Sequence, residues 1–153
     1  MNGRRRLKFI FAALLVLGPL HALAGPAEDA SAVIDRWAAA IGANDANAVV
    51  KLYTSDALLH GLSSPKLVAG SEAIRAYFGA APESGKKVTI GERHMVVLAD
   101  AAVVGVGFYQ FDLVQNGTRV PRSARFTFVV VKRGTDWLIA HHHSSLLPPA
   151  PYQ

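Results

Sequence analysis

The chain has 153 residues, sixteen Lys+Arg against eleven Asp+Glu, and no cysteine. That is room for one domain with a sizeable core, and it excludes a disulfide framework, a thiolate nucleophile, Cys-ligated zinc and a lipid-acceptor cysteine. The formal charge of +5 is concentrated in Arg4, Arg5, Arg6 and Lys8; beyond residue 24 twelve basic residues face eleven acidic ones, so the basic balance is no argument for a nucleic-acid partner.

Those four cations precede an apolar run from Phe9 to Leu17, a Gly18-Pro19 break, and the small-residue pattern Ala22-Leu23-Ala24 before Gly25. This is the order of a secretory signal, and the run is too short and interrupted to cross a bilayer. Residues 1–24 are therefore expected to be a Sec-type signal peptide cleaved after Ala24. What remains, 25–153, reads as one domain, periplasmic or secreted, with no membrane partner after cleavage.

From Pro26 the pattern is helical. Glu28 and Asp29 suit the positive end, Val33, Ile34, Trp37 and Ile41 recur along one face, and Gly42 ends the helix. A shorter second helix starts near Asn44-Asp45 and presents Val49, Val50 and Tyr53 inward until Thr54-Ser55-Asp56 breaks it. Ala57 to His60 is a short apolar piece before a loop from Gly61 to Pro65. Ser71 then caps a third helix, Glu72 to Phe78, with Ile74, Tyr77 and Phe78 as its buried face and Gly79 as its stop.

After Lys87 the period becomes extended. Val88 to Ile90, Arg93 to Leu98, Ala102 to Val114, Ser123 to Lys132 and Trp137 to Ser145 are apolar runs, separated by turn signals at Gly91, Asp100-Ala101, Asn116-Gly117 and Gly134-Thr135. Such short turns imply an antiparallel meander, and helices followed by a meander make an α+β fold in which a bent sheet closes over a helical layer. Pro121 lacks an amide donor and calls for a bulge or an edge position before Arg125.

The segments Tyr53 to Leu59, Val68 to Phe78, and Arg125-Phe126-Thr127-Phe128 through Trp137 to Ser145 with Pro148 resemble the nuclear transport factor 2-like superfamily. Within it the similarity is to bacterial proteins grouped with the calcium/calmodulin-dependent protein kinase II association domain, and to SnoaL-like proteins. The resemblance spans Ala30 to Pro148 and implies a cone-shaped barrel of three N-terminal helices on a bent antiparallel sheet, assembled with itself as a dimer or larger ring, with a pocket between sheet and first helix. It places Arg125 and Arg75 at pocket positions that are arginines in the kinase hubs, and Ser144 where the hub carries another arginine. No glycine-rich phosphate loop, His-Arg-Asp triplet or Asp-Phe-Gly triplet occurs, so kinase activity is not implied.

The final hairpin concentrates the chemistry. With an even turn at Gly134-Thr135, Arg125 opposes Ser144, Thr127 opposes His142 and Val129 opposes Ala140, which puts Arg125, Thr127, His142 and Ser144 on one face; a bulge would swap part of this. Arg125 then orients an anionic or carbonyl ligand, or pairs with Asp56, Asp112 or Glu92. Trp37, Tyr53, Tyr109 and His60 complete a ligand-binding set, with ordinary core packing as the alternative for each aromatic. His141 and His143 alternate onto one side and with His94 or His60 have zinc-like spacing. Their neighbourhood is apolar and no carboxylate stands at fixed spacing, so hydrogen-bonded histidines and no metal are expected. The expectation is an exported homo-oligomer that binds a small polar or anionic organic ligand without a cofactor. The alternative is a cofactor-independent isomerase, dehydratase or cyclase with His142, His94 or Asp56 as general base.

Overall fold

A computed structural model describes residues 25–79, 87–115 and 118–148. The proposed cleavage site and the Asn116-Gly117 turn lie outside them. Helix α1 (Pro26–Gly42) starts behind Gly25 with Pro26 in its first turn, where the missing amide costs nothing, and with Glu28 and Asp29 against the positive end. Ala30, Val33, Ile34, Trp37, Ala40 and Ile41 form its buried stripe. Asn44 takes the left-handed conformation, φ 55°, that asparagine tolerates. Helix α2 (Ala46–Val50) follows, capped by Asp45 accepting the Ala48 amide at 2.9 Å.

The next segment departs from the helical expectation. Tyr53 to Asp56 belong to strand β1 (Tyr53–His60), which pairs in parallel with the last strand of the chain. That pairing is non-local: Ile139 N donates to Leu52 O at 2.8 Å, and a local turn signal loses to a ladder formed with residues more than eighty positions away. Strand β2 (Val68–Ala69) and helix α3 (Gly70–Gly79) come next, so α3 sits between strands and does not extend a purely N-terminal helical run.

Strands β3 (Lys87–Ala99), β4 (Ala102–Gln115), β5 (Thr118–Arg133) and β6 (Asp136–Leu146) form the expected meander. The six-stranded order is β2-β1-β6-β5-β4-β3; the sheet is mixed, because β1 and β6 are parallel, and it is open, with β2 and β3 at its edges. The two runs flanking Gly91 are one strand with a register irregularity between Ile90 and Arg93. Pro121 lies in β5 opposite Asp112 of β4, while β6 pairs with β5 only as far as Ala124, so its missing amide faces an edge.

The core lies between α1 and the inner sheet face, where Val103, Tyr109, Phe126, Phe128, Val130 and Ile139 meet Val33, Ile34 and Trp37. Arg93 clamps the helix to β3 with two hydrogen bonds to Asp35, at 2.6 and 2.9 Å, and Trp137 Nε1 donates to Asp29 at 3.1 Å near the helix start. Gly107 allows β4 to pass the β3 irregularity: a Cβ there would stand 2.5 Å from Glu92 O and 2.9 Å from Arg93 Cα. Both obstacles are backbone, so Gly107→Ala is expected to cost roughly 1–3 kcal/mol by overpacking. A lowered urea midpoint at unchanged slope would register it, and an unchanged midpoint would contradict this packing.

Candidate functional site

A cavity of about 470 Å³ opens between the helices and the inner sheet face. Helix α1 supplies Trp37, Ala40 and Ile41; α2 and the turn before it supply Asn44, Asp45, Ala46 and Val49; α3 supplies Tyr77 and Phe78. The sheet contributes Leu59 from β1, Tyr109 and Phe111 from β4, and His142 and Ser144 from β6, while Gly61 to Ser64 form a rim. Tyr77 crosses this rim, its hydroxyl 3.2 Å from Ser63 Oγ and 3.4 Å from Ser63 N. Gly61 lets the outer end of the Tyr77 ring lie directly against the rim backbone, and a side chain there would have to push that ring aside.

His142 is the chemical centre of the inner wall. It is 2% exposed, its ring stacks on Phe128 with centroids 4.0 Å apart, and Trp37 meets it edge-on at 5.1 Å. Burial, with the smaller like-charge influence of His141 and His143, pulls its pKa down to about 3, so the imidazole is neutral at pH 7. Its Nδ1 lies 2.9 Å from the Tyr53 hydroxyl, whose pKa burial raises well above the ordinary value. Either the phenol O–H donates to an unprotonated Nδ1, leaving the ring hydrogen on Nε2, or Nδ1–H donates to the phenol oxygen, leaving Nε2 bare. That Nε2 has no partner. The Trp37 indole N–H influences the Tyr53 hydroxyl by proximity but falls outside hydrogen-bond geometry and likewise has no acceptor. Tyr109, also raised by burial, donates a short hydrogen bond to Ser144 Oγ. Among the described lining residues there is no lysine or arginine, and the one acid, Asp45, is engaged as the α2 cap.

Of the residues singled out from the sequence, Trp37, Tyr109, His142 and Ser144 thus come together in the cavity wall, with Tyr53 bonded behind His142. Arg125, Thr127 and His60 lie on the opposite, outer face of the sheet. The expected cross-strand set is corrected by a bulge: β5 and β6 pair as expected from Arg133↔Asp136 to Val130↔Ile139, but the register then shifts by one at Ala140. Arg125 therefore opposes Ser145, Thr127 opposes His143 and Phe128 opposes His142. Because side chains alternate, one extra residue moves His142 and Ser144 to the inner face and leaves Arg125 and Thr127 outside. There Arg125 is exposed and its Nε donates to Ser145 Oγ at 3.0 Å.

Asp56 is exposed on β1, and its carboxyl is held below the usual range first by a hydrogen bond from Thr54. His94 is exposed and pairs with Glu92 at 3.0 Å. Arg75 is exposed on α3 and does not line the cavity. His60, His141 and His143 gather on the outer face, His60 lying 5.9 Å from each of the other two by ring centroid. Among the described residues no group of three His, Asp or Glu side chains is arranged to hold a metal ion. Leu59, Phe78 and Phe111 escaped the sequence reading as pocket residues, since an apolar side chain reads as core whether it meets a neighbour or a cavity.

The geometry agrees with what the chain is similar to. A crystal structure from Xanthomonas campestris, described as a calcium/calmodulin dependent protein kinase II association domain, is 35% identical, with a TM-score of 0.75 over 83% of this chain and 94% of that one. The Chlamydomonas reinhardtii hub homology domain of that kinase is 22% identical over 78% and 97% of the two chains, with a TM-score of 0.66. A ketosteroid isomerase-like protein from Erwinia carotovora atroseptica shares the fold at 19% identity and a TM-score of 0.68, covering 80% of this chain and 97% of that one. No curated protein matches. The family model for the calcium/calmodulin dependent protein kinase II association domain matches residues 27–148. The chain belongs to that association-domain family, on the cone-shaped α+β fold of nuclear transport factor 2-like proteins.

Proposed function

We propose that this protein is an exported, self-associating association-domain module that binds a small organic ligand in its cavity. The observation that carries the ligand reading is the cavity itself: it reaches inward to His142 and Ser144, two polar side chains buried among aromatic rings, one of which retains an orphaned nitrogen. A closed core would have placed apolar groups there. Catalysis by proton abstraction gains no support from the wall, since a histidine with a pKa of about 3 is a weak base at neutral pH and Asp45 is committed to a helix cap.

Self-association is assigned to the outer sheet face. Phe108 is 47% exposed there, beside a depression lined by His94, Arg125, Thr127, His143 and Ser145. Family membership and the hub domain of similar fold support a second copy as its partner. Native mass spectrometry of the protein from its own host tests the proposal: an oligomer with a retained small molecule is expected, and a ligand-free monomer would overturn it. Phe108→Glu is expected to shift the assembly to monomers without disturbing the cavity on the other face. The same spectra read the N-terminus, where Gly25 is expected and Met1 would refute cleavage after Ala24.

A further inference from the structure

We propose that mild acid dissolves the self-association of this protein through three histidines, His60, His141 and His143, gathered on its outer sheet face. The inference rests on the reading of that face as the contact with a second copy and adds how the contact is regulated. The parallel pairing of β1 with β6 sets His60 opposite His143 and Leu58 opposite His141, and the His60 ring stands 5.9 Å by centroid from both other imidazoles. His60 and His143 are exposed and His141 is half-buried. His143 also lines the depression beside Phe108, together with His94 and Arg125, so the cluster borders the surface that a second copy would cover.

A protonated cluster has no counter-charge here. Among the described residues no carboxylate pairs with His60, His141 or His143. Strand β5 carries no acid and adds Arg125, two positions from the Thr127 that opposes His143. On β3 Glu92 is engaged by His94 at 3.0 Å; on β4 Asp112 lies opposite Pro121, beyond Phe108; β2 is uncharged. On β6 Asp136 stands at the turn opposite Arg133, and on β1 Asp56 lies under the influence of the same arginine. His141 already feels its neighbours: burial first, then His60 and His143, hold its pKa below the ordinary value. A two-fold contact sets each patch against its own copy, so protonation would bring two such clusters and two Arg125 guanidinium groups together with less water to screen them. Neutral imidazoles meet without that cost. The assembled state therefore holds histidines at a lower pKa than the monomer does; its strength is full above the monomer value and is lost as the pH falls through it.

Sedimentation equilibrium of the full folded protein at constant ionic strength tests this, with near-UV circular dichroism verifying the fold at each pH. If each copy holds one histidine neutral and the monomer titrates near the ordinary value, the dimer dissociation constant rises about a hundredfold between pH 7.5 and 5.5. The triple variant His60→Gln, His141→Gln, His143→Gln stays polar and cannot titrate there, so its dissociation constant is expected to change less than about threefold over the same range. Labelled-histidine NMR of the wild type, above and below its dissociation constant, needs no variant: His141 and His143 are expected to titrate at lower pH when assembled. Identical midpoints in the two states, a dissociation constant indifferent to pH, or the same pH dependence in the folded triple variant overturns the inference while leaving self-association standing. A wild type that is monomeric at pH 8 overturns the self-association reading, and this inference with it.

Discussion

Lowering the pH from 7 to 4 is expected to remove about 3 kcal/mol of folding stability through His142 alone. Its folded pKa is pulled down to about 3 from 6.5, chiefly by burial. Above the unfolded value both states are neutral and the group exerts no pH effect. Between 6.5 and 3 the unfolded chain takes up a proton that the folded chain refuses, so stability falls as the pH falls; below the folded value both are charged and the loss is complete. His141, lowered first by burial and then by His60 and His143, adds an effect of the same sign.

Urea unfolding at the two pH values, for the wild type and His142→Phe, isolates the term. The variant keeps an aromatic ring against Phe128 and Trp37 and is expected to lose much less stability on acidification. Equal losses in both proteins would show that His142 is not held neutral by the fold. The position is costly to protonate because it is buried among rings, and the neighbouring His141 and His143 add a smaller like-charge influence.

Trp37→Ala is expected to cost about 3–5 kcal/mol, a large part of the stability of an ordinary domain. Trp37 is 1% exposed and its ring lies 5.1–6.3 Å by centroid from His142, Phe128, Tyr109 and Phe78. Removing it enlarges the cavity into the core, so the surrounding rings lose contacts that water cannot replace. Trp37→Phe keeps most of the contacts and deletes the orphaned indole N–H, so it is expected to cost much less. Thermal unfolding followed by circular dichroism ranks the two, and Trp37→Ala melting within a degree or two of the wild type would contradict the placement of Trp37.

The elements carrying local signals were legible in the chain. Helix α1 announced itself through Pro26, its acidic first turn and its apolar stripe, and the β5–β6 hairpin through the turn at Gly134, which sits at φ 62°. The segment from Tyr53 to Asp56 carries local helix and turn signals, while its strand character comes from β6, far away in sequence. Trp37, Tyr109, Phe78 and Phe111 all line the cavity, and none of them carries a mark in the sequence that distinguishes a cavity wall from ordinary core.

The final hairpin divides what each level decides. Residue order alone determined that His141 and His143 share a face and that His142 takes the other, because strand periodicity is two. It determined the Arg133↔Asp136 register as well. Which face looks into the cone was decided only by the tertiary structure: the bulge at Ala140 lies where β6 pairs with β5 on one side and with β1 on the other. That single displaced residue sends His142 and Ser144 inward and leaves Arg125 outside. The part of the cavity wall that the hairpin supplies carries no arginine for that reason, since a one-residue slip exchanges the faces of every side chain beyond it.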